Sequence, residues 1–400
     1  MTATVHLRPG FVQPVWQGHP WVFAQAVART EGSPLAGDEV IVRDPQGNPL
    51  GRGYYSPGSA IPVRVLTRDA TASLDGDFLA ARIAEAAAWR RAVAALPSPS
   101  HTGYRLINAE GDALPGLTVD VFGDSACVQF GTAGMKRREA AVFDAVIAAA
   151  GVRRVYEVSS EKHQQREGFT VTDGLVRGDA AGELDFLEGD VRFRVPAPGS
   201  EGGGQKTGYY FDQRENRVLV GSLSRGRRVL DAYSYVGGFA LAAARGGAGE
   251  VLAVDSSLHA IEAGQRIAAD NGLAGAITHR RGDAKLVMSQ LADKRERFDL
   301  VVLDPPKLAH NAREVEKATG HYRRLNALAA RVLAPGGILV TCSCSGSVSG
   351  DVFLRAVAAG LRDAGRDAVV LAMRGAAVDH PSPVAFAEGR YLKCVVARVP

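Results

Sequence analysis

Apolar and polar positions change their period three times along the chain. Residues 1 to 70 carry short β-type runs, Glu39–Arg43 and Ile61–Leu66, punctuated by turn signals at Pro45-Gln46-Gly47-Asn48 and Pro57-Gly58. Such spacing predicts a small β-rich module. From Ala72 to about Leu96 an alanine-rich amphipathic pattern predicts a helix closed by Pro97. Strands are expected at Leu117–Val121, Cys127–Phe130 and Arg154–Val158, with a helix over 136–150, so residues 71–195 read as a separate α+β domain. The segment Gly199–Gly208, with five glycines, suits a flexible junction. Its end, Lys206-Thr207-Gly208-Tyr209-Tyr210, is too specific for a mere linker.

Residues 196–400 form the third part. Apolar strands are expected at Arg228–Ala232, Val251–Asp255, Ile277–Arg280, Phe298–Leu303, Gly337–Thr341, Ala368–Ala372 and Leu392–Val399, with helices between them. Nearly continuous apolar strands separated by helices imply a doubly wound, Rossmann-like α/β domain whose parallel sheet is covered on both faces. Ligands of such sheets bind beyond the carboxyl ends of the strands.

Composition narrows the setting. The 400 residues, 46% hydrophobic and 22% charged, suffice for two or three compact domains. A net charge of +4 suits a polyanionic partner but decides nothing alone. The N-terminus lacks an apolar signal core, and Arg245 and Glu250 interrupt the most apolar stretch, so a cytoplasmic protein without a membrane span is expected. Cys127, Cys342, Cys344 and Cys394 make a poor disulfide framework and lack the Cys/His partners of a zinc site, so reduced thiols and no metal are expected.

The candidate chemistry sits at strand ends. After the first strand of the third part comes Asp231-Ala232-Tyr233-Ser234-Tyr235-Val236-Gly237-Gly238-Phe239, whose glycines let a backbone approach a ligand. Asp255 ends the next strand, where a ribose hydroxyl pair would bind. Together they point to an adenosine-type cofactor. Asp283 could accept from an adenine amino group or cap a helix. Further on, Asp304-Pro305-Pro306-Lys307 and Cys342-Ser343-Cys344-Ser345-Gly346 end neighbouring strands. A carboxylate and a thiol so placed can hold a pyrimidine, one managing a ring nitrogen and the other adding to a ring carbon.

The segments 231–239, 304–307 and 343–346 resemble the S-adenosylmethionine site and catalytic motifs of the bacterial 23S rRNA 5-methylcytosine methyltransferases, class I enzymes. Gly18-His19-Pro20-Trp21-Val22-Phe23 is similar to the opening of that family's PUA domain, an RNA-binding β-barrel. Leu114–Asp120 resembles its central insert. KTGYYFDQR at 206–214, Asp379-His380-Pro381 and Glu388–Lys393 resemble further signatures. Val158 stands where arginine is expected, and Ala387 where proline is. The resemblance implies S-adenosylmethionine as cofactor, with contacts from Tyr209, Gln213, Arg214, Asp231, Tyr233, Gly237, Asp255, Asp283 and Asp304. It also implies 23S rRNA as partner, and leaves a homodimer open.

The implied reaction agrees with the residues. Cytosine C5 is a poor nucleophile until a thiolate adds to C6, and Cys344 lies further beyond the strand than Cys342, whose bland role is a core thiol. Asp304 would serve cytosine N3, with a raised pKa expected from its apolar strand, and its bland role is a turn residue before proline. Lys307 could favour the thiolate, contact a substrate oxygen or be solvated. In the N-terminal module, Arg43, Arg52, Arg64 and Arg68 with Trp21, Tyr54 and Tyr55 offer phosphate contacts and stacking surfaces, or belong to the core. Three other readings stay open. An exocyclic-amine methyltransferase would favour an aromatic residue where Lys307 stands. A nicotinamide oxidoreductase would leave Cys344 unexplained. A non-catalytic RNA-binding assembly factor would need only the N-terminal module.

Overall fold

The computed structural model describes residues 2–158, 165–200 and 208–400. They form two compact units, Met1–Phe211 with Val378–Gly389 and Asp212–Ala377 with Arg390–Pro400. Lys206 and Thr207, which open the KTGYYFDQR signature, lie outside the described residues.

In the first unit, β1 (Ala3–Leu7), β2 (Trp21–Val22), β3 (Val27–Glu31), β4 (Glu39–Arg43), β5 (Pro49–Tyr55) and β6 (Val63–Thr67) form a six-stranded sheet ordered β2-β6-β5-β4-β1-β3. Strand β5 was hidden in the sequence by Gly51 and Gly53, which weaken a strand pattern. Gly53 is required there: a Cβ would meet the Arg64 carbonyl oxygen at 2.1 Å. A second sheet, ordered β11-β10-β9-β8-β7, uses β7 (Gly103–Asn108), β8 (Leu117–Phe122), β9 (Ser125–Phe130), β10 (Arg154–Glu157) and β11 (Gly174–Arg177). β12 (Glu183–Glu188) and β13 (Val191–Pro196) pair as a hairpin.

Helix α1 (Gly76–Trp89) begins later than Ala72 because the Asp75 carboxylate caps it, accepting from the Phe78 amide at 3.1 Å. The helix expected over 136–150 is divided into a short turn, Ala133–Lys136, and α2 (Glu139–Ala150), which stops at Gly151 with φ 68°. Tyr54 and Leu66 of the first sheet share one core with Leu79, Ile83, Phe130 and Phe143. That shared core explains why residues 1–70 and 71–195 cluster together.

Residues 378–389 rejoin this unit, although the sequence grouped them with 196–400. Asp379 accepts from the Arg105 amide at 2.8 Å, the Pro381 carbonyl accepts from Asn108 at 2.9 Å, and Phe386 packs edge-on against Trp21 at 4.7 Å. The residues read as an RNA-facing surface are largely engaged within the unit. Arg52 pairs with Glu39 at 2.6 Å and Arg64 with the buried Glu167 at 3.2 Å, while Arg43 donates to the Gly47 carbonyl and Arg68 to the Trp16 carbonyl. Tyr54 is 2% exposed with its hydroxyl on the Leu74 carbonyl, and the Trp21 indole N–H donates to Glu110 at 2.7 Å. Of the four arginines, only Arg68 is exposed.

The second unit holds a seven-stranded sheet, ordered β16-β15-β14-β17-β18-β20-β19. Its strands are β14 (Arg228–Ala232), β15 (Glu250–Asp255), β16 (Ile277–Arg281), β17 (Phe298–Leu303), β18 (Leu333–Ser343), β19 (Val369–Arg374) and β20 (Lys393–Val399). The sheet is not wholly parallel: β20 runs antiparallel to both β18 and β19. Among the described residues no α-helix lies between β19 and β20, only a short 3-10 turn at Ala387–Gly389, so the connection lacks the helical crossover usual between parallel neighbours. Around the sheet lie α3 (Arg214–Leu223), α4 (Gly238–Arg245), α5 (Leu258–Asp270), α6 (Ala284–Asp293), α7 (Val315–Val332) and α8 (Gly350–Asp363). Leu230, Val301, Leu339, Tyr322 and Phe353 belong to its core. No helix among the described residues is long and apolar enough to cross a membrane.

Candidate active site

Strand order places the site. The chain steps from β14 outward to β16 and then crosses to β17 on the other side of β14, so β14 and β17 flank a switch point. A crevice opens at such a point, beyond the carboxyl ends of the strands. Asp255, Asp231, Asp304 and Cys344 end or follow β15, β14, β17 and β18, which are consecutive neighbours in the sheet. Adjacent strands are about 4.8 Å apart, so the four residues lie along one edge. By register Leu303 faces Thr341, which puts Asp304 level with Cys342 and leaves Cys344 two residues further out.

The turn after β14 is bent unusually tightly. Tyr233, Tyr235 and Gly237 have φ of 68°, 50° and 86°, and two of the three are not glycine. Left-handed tyrosines cost energy and persist only where their surroundings dictate them. Here the restraint is Asp255, whose Oδ2 accepts from the Tyr235 amide at 2.9 Å while Oδ1 accepts from the Ser257 amide at 2.8 Å. A Cβ on Gly237 would find nothing nearer than His279 Nε2 at 3.8 Å. The glycine therefore supplies backbone conformation and leaves open space beside it.

Asp231 is fully buried. Its Oδ2 accepts from the Ala240 amide at 2.9 Å, whereas Oδ1 has no partner among the described residues. Burial, reinforced by the charges of Asp304 and Asp255, pushes its pKa up to about 7. Ser234 Oγ is likewise buried without a partner. Orphaned polar atoms beside an open glycine turn are what a cradle for a polar cofactor requires, so these residues fit S-adenosylmethionine.

The other cofactor candidates are distributed unevenly. Asp283 is the N-cap of α6, its Oδ1 accepting from the Lys285 and Leu286 amides at 2.9 and 3.1 Å. Gln213 and Arg214 are buried at the start of α3, where Gln213 accepts from Asn216 at 2.6 Å. Tyr209 belongs to the first unit, packed among Phe186, Phe193 and Phe211 with its hydroxyl on Glu188.

The two cysteines of the Cys-Ser-Cys run differ sharply. Cys342 is fully buried opposite Cys394, and a hydrogen bond between the two thiols together with burial raises its pKa well above the ordinary value. Cys344 is partly exposed just beyond the end of β18. The flanking serines clamp its loop, a role the sequence did not disclose. Ser345 Oγ accepts from the Leu308 and Ala309 amides, both at 3.1 Å, which ties the loop after Lys307 to the loop carrying Cys344. Tyr322 on α7 completes the clamp, its hydroxyl 2.9 Å from Ser343 Oγ and 3.1 Å from Ser345 Oγ. Lys307 is exposed and forms no hydrogen bond or ion pair among the described residues. Lys393 is buried beside this loop, an ionisable residue inside the apolar run of β20, which is the signal that could have marked it.

Comparison with known proteins fits this geometry. A family model described as S-adenosylmethionine-dependent methyltransferase matches residues 145–371, and one described as PUA-like domain matches residues 5–68. "Ribosomal RNA large subunit methyltransferase I" of Shewanella amazonensis is 38% identical over the whole of both chains, and its namesake in Aeromonas hydrophila is 36% identical over the whole of both. The chain belongs to this methyltransferase family. Its cofactor is S-adenosylmethionine. The fold agrees with a Streptococcus mutans protein assigned as a SAM-dependent methyltransferase, at a TM-score of 0.84, 19% identity and full coverage of both chains. A crystal structure assigned as a methyltransferase complexed with SAH matches equally completely, with TM-score 0.85 and 18% identity.

Proposed function

We propose that the protein transfers a methyl group from S-adenosylmethionine to C5 of a cytosine in 23S rRNA, through a covalent adduct of Cys344 with C6. The observation that carries this reading is the partly exposed Cys344 just beyond β18, the strand next to the one that Asp304 follows. Full-length similarity to relatives named as large-subunit rRNA methyltransferases supports the choice of RNA.

Asp231, Tyr233, Gly237, Asp255, Gln213 and Arg214 would hold the cofactor, with Asp304 at its reactive end, and Asp283 would contribute from the N-cap of α6. Bound S-adenosylmethionine supplies an electrophilic methyl. The Cys344 thiolate adds to C6, forming an S–C6 bond and moving an electron pair onto the ring. Asp304, in its protonated form, donates a hydrogen bond to N3 and offsets the negative charge that develops there. C5 is now nucleophilic and accepts the methyl. Loss of the C5 proton to a base restores the C5–C6 double bond as the S–C6 bond breaks and the thiolate departs. Lys307, exposed past the prolines, is available to a substrate oxygen. A cytosine in a closed duplex cannot reach Cys344, so the base must be unpaired or flipped out.

RNA carrying 5-fluorocytidine tests the reading, because fluorine cannot leave C5 as a proton does. Wild-type protein should form a covalent complex that survives denaturation, Cys344→Ala should form none, and Cys342→Ala should trap normally. Trapping by Cys344→Ala at the wild-type level would sink the assignment. Mass spectrometry of rRNA from cells with and without the protein should show one 5-methylcytosine missing.

A further inference from the structure

Strand β20 brings to the site a charged group that the chemistry above does not use. Lys393 lies opposite Ser343 in the antiparallel register, one residue before Cys344. Its Nζ donates to the Ser345 carbonyl at 2.7 Å, one residue after Cys344, and to the Tyr391 carbonyl at 2.8 Å. The residue thus meets the loop on either side of Cys344, its backbone opposite Ser343 and its side chain on the Ser345 carbonyl. It is 8% exposed, and no carboxylate pairs with it among the described residues. A buried ammonium facing only neutral carbonyls is costly unless an anion forms beside it.

The ionisable groups acting on Lys393 are few. Burial is the strongest influence and pushes its pKa down to about 8, the Cys344 thiolate favours its charged form, and the Lys307 ammonium opposes it. Tyr322, across the serine clamp, feels both Cys344 and Asp304. Lys307 is exposed and its charge is screened by water, whereas Lys393 acts from within the protein.

We propose that Lys393 is a positioning residue for Cys344, its buried ammonium serving as counter-charge to the thiolate while its bond to the Ser345 carbonyl holds the 343–345 loop. The proposal deepens the reading of Cys344 as nucleophile and rests on it. No covalent step is added: the thiol proton passes to solvent, and the sulfur waits as an anion paired with Lys393 until the base arrives.

The test needs no RNA. Full-length protein is alkylated with iodoacetamide across a pH series, and modification of Cys344 is followed by mass spectrometry, with the fully buried Cys127 and Cys342 as internal controls. In the wild type the midpoint should lie at least about one unit below the ordinary thiol value of about 8.5. Lys393→Gln keeps a donor for the carbonyls but removes the charge, and should slow alkylation at pH 7 by about tenfold or more while moving the midpoint up. Lys393→Arg should recover much of that loss. A Lys393→Gln profile that coincides with the wild type overturns the proposal. So does a wild-type midpoint already at the ordinary value, which decides the matter even if the glutamine variant fails to fold. Trapping of 5-fluorocytidine RNA by Cys344→Ala would sink the methylation chemistry, yet a depressed thiol midpoint abolished by Lys393→Gln would still establish the pairing.

Discussion

The two units treat buried polar groups in opposite ways. In the first, buried charges are matched to partners: Arg90 binds the Asp112 carboxylate and the Arg105 and Asp379 carbonyls, and Asp120 binds Arg105. Lys136 donates to both oxygens of the fully buried Glu157, at 2.9 and 2.8 Å. Even there Arg52 Nε and His380 Nε2 have no partner among the described residues, although both side chains are anchored elsewhere, on Glu39 and Asp379. In the second unit the orphaned atoms include Asp231 Oδ1, Ser234 Oγ and Asp212 Oδ1, and the first two lie at the strand ends where the cofactor is expected. An unpaired buried polar atom costs stability unless a ligand completes it. Pairing therefore marks scaffold, and missing partners at a strand mouth mark a site.

The sharpest way to break this comparison is to remove one half of a scaffold pair. Lys136→Met leaves Glu157 buried without its cation and should destabilise the protein by about 3 to 5 kcal/mol, the cost of stranding a buried charge. S-adenosylmethionine affinity of the folded protein should not change. Denaturant unfolding and calorimetry measure the two quantities. A loss below about 1 kcal/mol would rank the pair with surface ion pairs.

Much of this division was legible in the sequence, and the rest was concealed for physical reasons. Strand β4 and the strands β14 to β17 were predicted nearly to the residue: apolar residues predominate in β4, β14, β15 and β17, whereas β16, Ile-Thr-His-Arg-Arg, is mostly polar and was carried by the alternation of strands with helices. The expectation of Cys344 over Cys342 rested on its distance beyond the strand and on the resemblance of Ser343-Cys344-Ser345-Gly346, and the two cysteines do differ in burial. Strands β12 and β13 were not expected, although the alternation of Val191-Arg192-Phe193-Arg194-Val195 is the signature of a half-buried strand. The pairing of Arg52 with Glu39 and of Arg64 with Glu167 was invisible, since Glu167 is more than a hundred residues from its partner. Lys393 stood within a motif but carried no role, because nothing local says that an antiparallel neighbour will set it beside Cys344. The return of residues 378–389 to the first unit likewise depends on contacts, such as that of Asp379 with Arg105, that span most of the chain.

A smaller effect is expected from Asp255→Ala. The carboxylate restrains the left-handed Tyr235 through its amide and is the expected ribose ligand, so cofactor binding should weaken by about 1 to 3 kcal/mol. Asp255→Asn retains one carbonyl acceptor for the turn and should lose less. Calorimetry showing wild-type affinity in both variants would place the ribose elsewhere and reduce Asp255 to scaffold.

The subtlest test uses pH. Asp231 holds its proton up to about pH 7 in the folded protein, whereas an unfolded aspartate releases it near about 3.9. Between these values the native state binds more protons, so the contribution of Asp231 to stability falls as pH rises and levels off above about 7. Cofactor binding should run the other way. The cationic amino end of S-adenosylmethionine prefers the ionised carboxylate, so affinity should climb as pH rises through about 7, by at most about tenfold per unit below the midpoint. Asp231→Asn should flatten both slopes and bind weakly at every pH. If the variant keeps the wild-type pH dependence of binding, the orphaned Oδ1 is not where the cofactor's charge is met, and Asp231 joins the paired charges of the first unit as part of the scaffold.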